Sequence, residues 1–149
     1  IDWGPIKADV VLKNNAPQII ELAARLSGNY LASHHVPWSL GIDFVGASIK
    51  QTIGLEIKQS DLMPKFKKYL AARYFFPSSG IIKKIIGLEK VSSLSYVKNI
   101  EIFRKVGDFQ PIITCHPERA GIIRVMGDSI SDVTQKIENC VNMITFEIE

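Results

Sequence analysis

The hydrophobic segments at the start of the chain are short. Ala8 to Leu12 and Gln18 to Leu22 read as strands, and the run Lys13-Asn14-Asn15-Ala16-Pro17 between them is dense in turn residues. This predicts a β-hairpin with its turn centred near Asn15. Arg25-Leu26-Ser27-Gly28-Asn29-Tyr30 then carries loop residues. Asp43 has the chemistry of an N-cap for an amphipathic helix bearing Phe44, Val45, Ala47, Ser48 and Ile49, stopped by Gly54. From Leu55 to Lys68 the periodicity is lost and Pro64 lies among charges, which places a subdomain boundary in that stretch.

The second part opens on the apolar segment Tyr69 to Phe76, broken by Pro77-Ser78-Ser79-Gly80 and followed by a strand, Ile81 to Ile86, so a second hairpin is expected there. Val97 to Phe103 alternates as a half-buried strand does, Val106-Gly107-Asp108 reads as a turn, and Gly121 to Met126 as another strand. Ser129 and Asp132 have capping-box-like spacing, and Val133, Ile137, Cys140, Val141 and Ile144 recur on one helical face, the clearest helix in the chain. A last strand, Thr145 to Ile148, is expected to pair back onto the sheet. The predicted class is α+β, an antiparallel β-sheet with helices packed on one side, without internal repeats.

Composition narrows the function classes. With 149 residues, 46% hydrophobic and 22% charged, the chain has the make-up of a globular protein and not of a disordered tail. No apolar run approaches the roughly 20 residues that span a bilayer, so the sequence reads as having no membrane segment. The net charge of +3 suits phosphate-bearing ligands and is too small to argue for nucleic acid. Cys115 and Cys140 lie far apart, in no CxxC pair or metal-ligand grouping, as expected of reduced thiols in a cytoplasmic protein. The chain starts at Ile1 with no targeting segment and reads as a piece of a longer polypeptide.

Candidate chemistry stands on the first hairpin. Asp9 and Glu21 are equidistant from Asn15, so they are expected to face each other across the strands. Cross-strand Cβ atoms lie about 5 Å apart, and like charges there repel unless something positive sits between them. A divalent cation would relieve that. Mg²⁺ accepts one or two carboxylates and completes its shell with water and substrate phosphates. On an extended strand Glu21, Ala23 and Arg25 share a face, which would set the Arg25 guanidinium beside the ion, ready to hold a carboxylate or phosphoryl group in two-pronged fashion. An isolated Asp and Glu on a hairpin are, however, ordinarily solvated edge charges.

The residues themselves add to this. The string Trp3-Gly4-Pro5-Ile6-Lys7-Ala8-Asp9-Val10-Val11-Leu12, with Ile19-Ile20-Glu21-Leu22-Ala23-Ala24-Arg25-Leu26-Ser27-Gly28-Asn29-Tyr30, resembles the final metal-binding hairpin of the ATP-grasp ligases. Further along, Phe76-Pro77-Ser78-Ser79-Gly80-Ile81-Ile82, the Gly87-Leu88-Glu89 turn, Lys105-Val106-Gly107-Asp108, and Arg119-Ala120-Gly121-Ile122-Ile123 followed by Gly127-Asp128 resemble the C-terminal subdomain of the L-amino-acid ligase branch. More distant likenesses are to biotin carboxylase and the carbamoyl-phosphate synthase large chain.

The resemblance implies that residues 1-55 are the C-terminal part of the catalytic core and 56-149 a C-terminal α+β subdomain, with the nucleotide-clamping regions upstream. It implies ATP and Mg²⁺ (or Mn²⁺) as cofactors, Asp9 and Glu21 as metal ligands, and Arg25 as the residue that meets the carboxylate or acyl-phosphate. Ser27 and Gly28 would offer backbone N–H groups to the ligand, and Arg73 would match an active-site-facing arginine of biotin carboxylase. His34 would border the substrate pocket, and Arg119 would lie near the subdomain interface. The partners implied are small-molecule carboxylate and amine substrates and the upstream region; neither nucleic acid nor membrane is implied, and a homodimer stays open. Ala23 departs from the pattern, since many of these enzymes carry Asn there. No glycine-rich phosphate loop is present, so the piece by itself is expected to be inactive. The competing readings are a non-catalytic module that kept the fold, with Ala23 as the trace of lost chemistry, and a small basic nucleic-acid-binding domain.

Overall fold

A computed structural model describes residues 3–149. Its contacts divide into two compact units, the first ending at Lys67 and the second running from Lys68 to Glu149.

In the first unit β1 (Lys7–Lys13) and β2 (Ala16–Ala23) form an antiparallel two-stranded ribbon. Asn14 and Asn15 have φ of 52° and 60°, the left-handed pair that a two-residue hairpin turn requires and that Asn tolerates. The turn centre therefore lies between these residues and not at Asn15. From Lys13↔Ala16 to Val10↔Ile19 the register follows that turn, and then Ile20 is skipped so that Asp9 pairs with Glu21 and Lys7 with Ala23. Ile20 is the extra residue of a β-bulge. Without it Asp9 would face Ile20, so the expected acid pair is present because of a bulge that the symmetry argument did not contain.

Past β2 the chain bends. A π-helical turn at Leu31–His35 runs into α1 (Val36–Leu40), neither of which periodicity had marked. The helix α2 (Phe44–Thr52) begins where expected, with the Asp43 carboxylate accepting from Gly46 N at 2.8 Å. Residues beyond α2 fold back within the same unit, Lys65 N donating to Leu40 O at 2.9 Å.

The second unit contains β3 (Tyr69–Phe75), β4 (Gly80–Ile86), α3 (Leu88–Ser92), β5 (Val97–Ile102), β6 (Phe109–Gln110), β7 (Gly121–Gly127), α4 (Ile130–Met143) and β8 (Thr145–Ile148). They build two three-stranded antiparallel sheets, ordered β3-β7-β5 and β6-β4-β8. The expected β3–β4 hairpin is not formed. Pro77-Ser78-Ser79-Gly80 does interrupt the chain, but β3 runs in unbroken register against β7, from Tyr69↔Gly127 to Phe75↔Gly121, while β4 takes β8. Burial decides this: Ile122, Ile123 and Val125 of β7 are wholly buried and need a strand on each side, which local turn chemistry cannot reveal. Gly87-Leu88-Glu89, read as a turn, opens α3. Gly87 has φ +87°, and a Cβ there would lie 1.9 Å from Met143 O, so only glycine fits.

Helix α4 packs on β3 and β7, joining Phe75, Ile123 and Val125 to Val133, Ile137 and Cys140 in one core. Its start is held by Ser129 Oγ, which accepts from Asp132 N at 3.1 Å; the Asp132 carboxylate reaches one residue further than a capping box would, to Asp128 N at 2.9 Å. On the opposite face of β7, Arg124 is 0% exposed and donates from Nη1 to Glu101 Oε1 at 2.6 Å and Asn99 Oδ1 at 2.8 Å. Among the described residues no helix is long and apolar enough to cross a membrane.

Candidate functional site

The two faces of the β1–β2 ribbon differ. Pairing puts Ala8, Val10 and Leu12 with Leu22, Ile19 and Pro17 on one face, and Lys7, Asp9 and Glu21 on the other. The polar face is built around Lys7. Its ammonium donates to Asp9 Oδ2 and lies 3.6 Å from Glu21 Oε1. The Lys7 side chain is 20% exposed, against 52% for Asp9 and 58% for Glu21, so its stem lies against the ribbon while both carboxylates stay open to solvent. The hydrogen bond to Asp9 holds the Lys7 pKa above its ordinary value, assisted by both acids and opposed by burial and by the nearby positive charge of Arg25. Sequence reasoning asked for something positive between the acids and passed over Lys7, although its spacing of two from Asp9 already puts both on one strand face.

Arg25 is placed differently from the expectation. The strand ends at Ala23, and Arg25 N donates to Ala23 O at 2.9 Å in a tight bend, so strand alternation does not extend to it. Its guanidinium donates from Nη1 to Leu26 O at 3.0 Å and still lies within electrostatic reach of Lys7. Ser27 is half-buried and Gly28 exposed. Gly28 O accepts from Leu31 N at 3.1 Å, and a Cβ on Gly28 would meet nothing within 4 Å, leaving open space over this backbone.

Arg73 belongs to the second unit. It projects from β3 to α4, where Nη2 pairs with Glu138 Oε1 at 2.6 Å. His34 is packed edge-on between Tyr30 and Trp38, with ring centroids 5.0 and 4.9 Å away, and its Nδ1 lies 2.7 Å from Ser33 Oγ. Arg119 stacks 4.0 Å over the Tyr74 ring.

Asp9 and Glu21 fit a hard divalent cation. They supply oxygen donors from two paired strands, both open to solvent, and the geometry already gathers a cation between them. Among the described residues no cluster of three or more His, Cys, Asp or Glu side chains is assembled, so an ion there would take its remaining ligands from water or from substrate.

Comparison with known proteins supports the α+β fold expected of this chain. Residues 73–149 match the family L-amino acid ligase C-terminal domain 2, just over half of the chain, and the chain belongs to that family. Two solved structures match with a TM-score of 0.81. Phosphoribosylglycinamide synthetase from Anaerococcus prevotii is 23% identical over 97% of this chain, and L-amino acid ligase from Bacillus licheniformis 21% identical over 100% of it. N5-carboxyaminoimidazole ribonucleotide synthetase from Thermotoga maritima matches 97% of the chain with a TM-score of 0.64 at 12% identity. In all three the chain spans 37% of the relative's length. No curated protein matches the sequence.

Proposed function

We propose that this chain is the C-terminal part of a cytoplasmic ATP-dependent carboxylate–amine ligase of the amino-acid-ligase kind, joining its substrates through an acyl-phosphate. One observation carries the reading: Asp9 and Glu21 stand in cross-strand register on the polar face of an exposed hairpin, with Arg25 at its end, in a chain of the amino-acid-ligase family.

Asp9 and Glu21 hold the Mg²⁺ (or Mn²⁺) that accompanies ATP. When bound, the ion neutralises charge on the phosphoryl oxygens during transfer to the substrate carboxylate. Arg25 reaches from its bend to orient that carboxylate and to neutralise the charge that develops on it. Ser27 and Gly28 offer backbone N–H groups along the open stretch of chain that follows. Arg73 would meet nucleotide only by exchanging the Glu138 carboxylate for a phosphate oxygen. The residues up to Lys67 then belong to the catalytic core and Lys68 to Glu149 to the accessory subdomain, so residues 56 to 67, expected in the second part, go with the first unit into which they fold back. The groups that clamp adenine, and the walls that choose the carboxylate and the amine, belong to parts of the ligase that this chain does not cover, and the chain alone turns nothing over.

The test is ADP formation by the full-length protein that carries this chain, supplied with Mg-ATP and pooled amino acids and other carboxylates, beside a Glu21→Gln variant. Substrate-dependent ADP is expected, reduced about 100-fold or more in the variant, as loss of a metal ligand or its support brings. A folded, ATP-binding protein that forms no substrate-dependent ADP would overturn the reading in favour of a non-catalytic module.

A further inference from the structure

We infer that Lys7 is a tethered counter-cation of the hairpin: its ammonium takes the place between Asp9 and Glu21 that a divalent ion needs, so the free ion is disfavoured and the ion–nucleotide complex is admitted. This rests on the reading of Asp9 and Glu21 as metal ligands.

Both carboxylates engage the same ammonium, Asp9 by a direct hydrogen bond and Glu21 at 3.6 Å. The Lys7 side chain is also the least exposed of the three. Directly across from Lys7 stands Ala23, whose methyl leaves room for the lysine stem to lie over the ribbon. Held this way, Lys7 offsets the repulsion between facing carboxylates and cuts the charge of the pair from two negative to one. A bare divalent cation approaching the pair must displace a neighbouring positive charge, which offsets part of what the two carboxylates supply. An ion that arrives on a polyphosphate brings negative oxygens with it. The displaced ammonium then moves to a phosphate, which its flexible four-carbon stem permits. Lys7 thus couples metal occupancy to nucleotide occupancy and guards against loading by metal alone.

Mn²⁺ binding to the full-length protein, read by electron paramagnetic resonance of the free ion with and without a non-hydrolysable ATP analogue, separates the possibilities. The variants are Lys7→Met, Lys7→Arg, Lys7→Gln and Glu21→Gln. Without nucleotide, Lys7→Met and Lys7→Gln are expected to hold Mn²⁺ about tenfold more tightly than the parent, the scale of removing one adjacent charge near water. Lys7→Arg should stay close to the parent, and adding Glu21→Gln should abolish the gain. Glu21-dependent Mn²⁺ binding that is equal in the parent and both neutral variants would overturn the role of Lys7 while leaving the metal site standing. If no form shows Glu21-dependent binding even with the nucleotide analogue, the metal reading fails and the role of Lys7 fails with it. Having two neutral variants guards against one that misfolds.

Discussion

The β1–β2 ribbon and the β3-β7-β5 sheet are both antiparallel, yet they are held in different ways. Strand β7 has a neighbour on each side and a helix over one face, and Ile122, Ile123 and Val125 are wholly buried. The ribbon has one partner per strand, and its apolar residues stay open, Leu12 being 77% exposed. A lone two-stranded ribbon is marginal in water. Local devices set its geometry: two left-handed asparagines, the bulge at Ile20, and Lys7 between the acids. The difference teaches that packing holds the β3-β7-β5 sheet, while local devices set the geometry of the open ribbon, where the proposed chemistry would lie.

Substitutions can break that contrast. Ile123→Ala removes a fully buried side chain between β3, β5 and α4 and should cost about 3 kcal/mol in urea unfolding, whereas Leu12→Ser should stay within about 0.5 kcal/mol. Comparable losses from the two would show that the ribbon is packed after all. Next in size, Ser129→Ala deletes the cap that accepts from Asp132 N and should cost about 1 kcal/mol of the second unit's stability.

The smallest effect concerns pH. Glu118 accepts from Thr114 N, Thr114 Oγ1 and Cys115 N, and these hydrogen bonds lower its pKa from 4.5 to about 2. A carboxyl whose folded pKa is depressed stabilises above its unfolded value and loses that contribution as pH falls through the folded one. The Thr114–Glu118 turn should therefore stay closed at pH 4.5 and open only as pH approaches about 2. Amide hydrogen-exchange or chemical shifts of Thr114 and Cys115 would follow it, and Glu118→Gln should shift them at every pH.

Much of this was legible in the sequence because the relevant signals are local. The Asp43 and Ser129 caps, the apolar stripe of α4 and the asparagine turn each depend on residues within a few positions of one another. What escaped was non-local or too short. The pairing of β3 with β7 joins residues some fifty positions apart, and β6 is only Phe109–Gln110, below the length at which alternation has meaning. The bulge escaped because Ile19 and Ile20 are equally apolar, so nothing in the pattern says which is skipped. At the candidate site the acid pair was expected from equal spacing about Asn15, but the turn lies between Asn14 and Asn15, and it is the bulge at Ile20 that brings Asp9 opposite Glu21. The bend at Arg25 was not legible, since the alanines before it are as compatible with a continuing strand as with a turn.

The most direct measurement is a crystal structure of the full-length protein grown with Mn²⁺ and a non-hydrolysable ATP analogue, with anomalous data collected at the manganese edge. An anomalous peak coordinated by carboxylate oxygens of Asp9 and Glu21, with Lys7 turned away from them toward phosphate, is the expected result. Bound nucleotide with manganese elsewhere, and Lys7 still seated between the two acids, would contradict it.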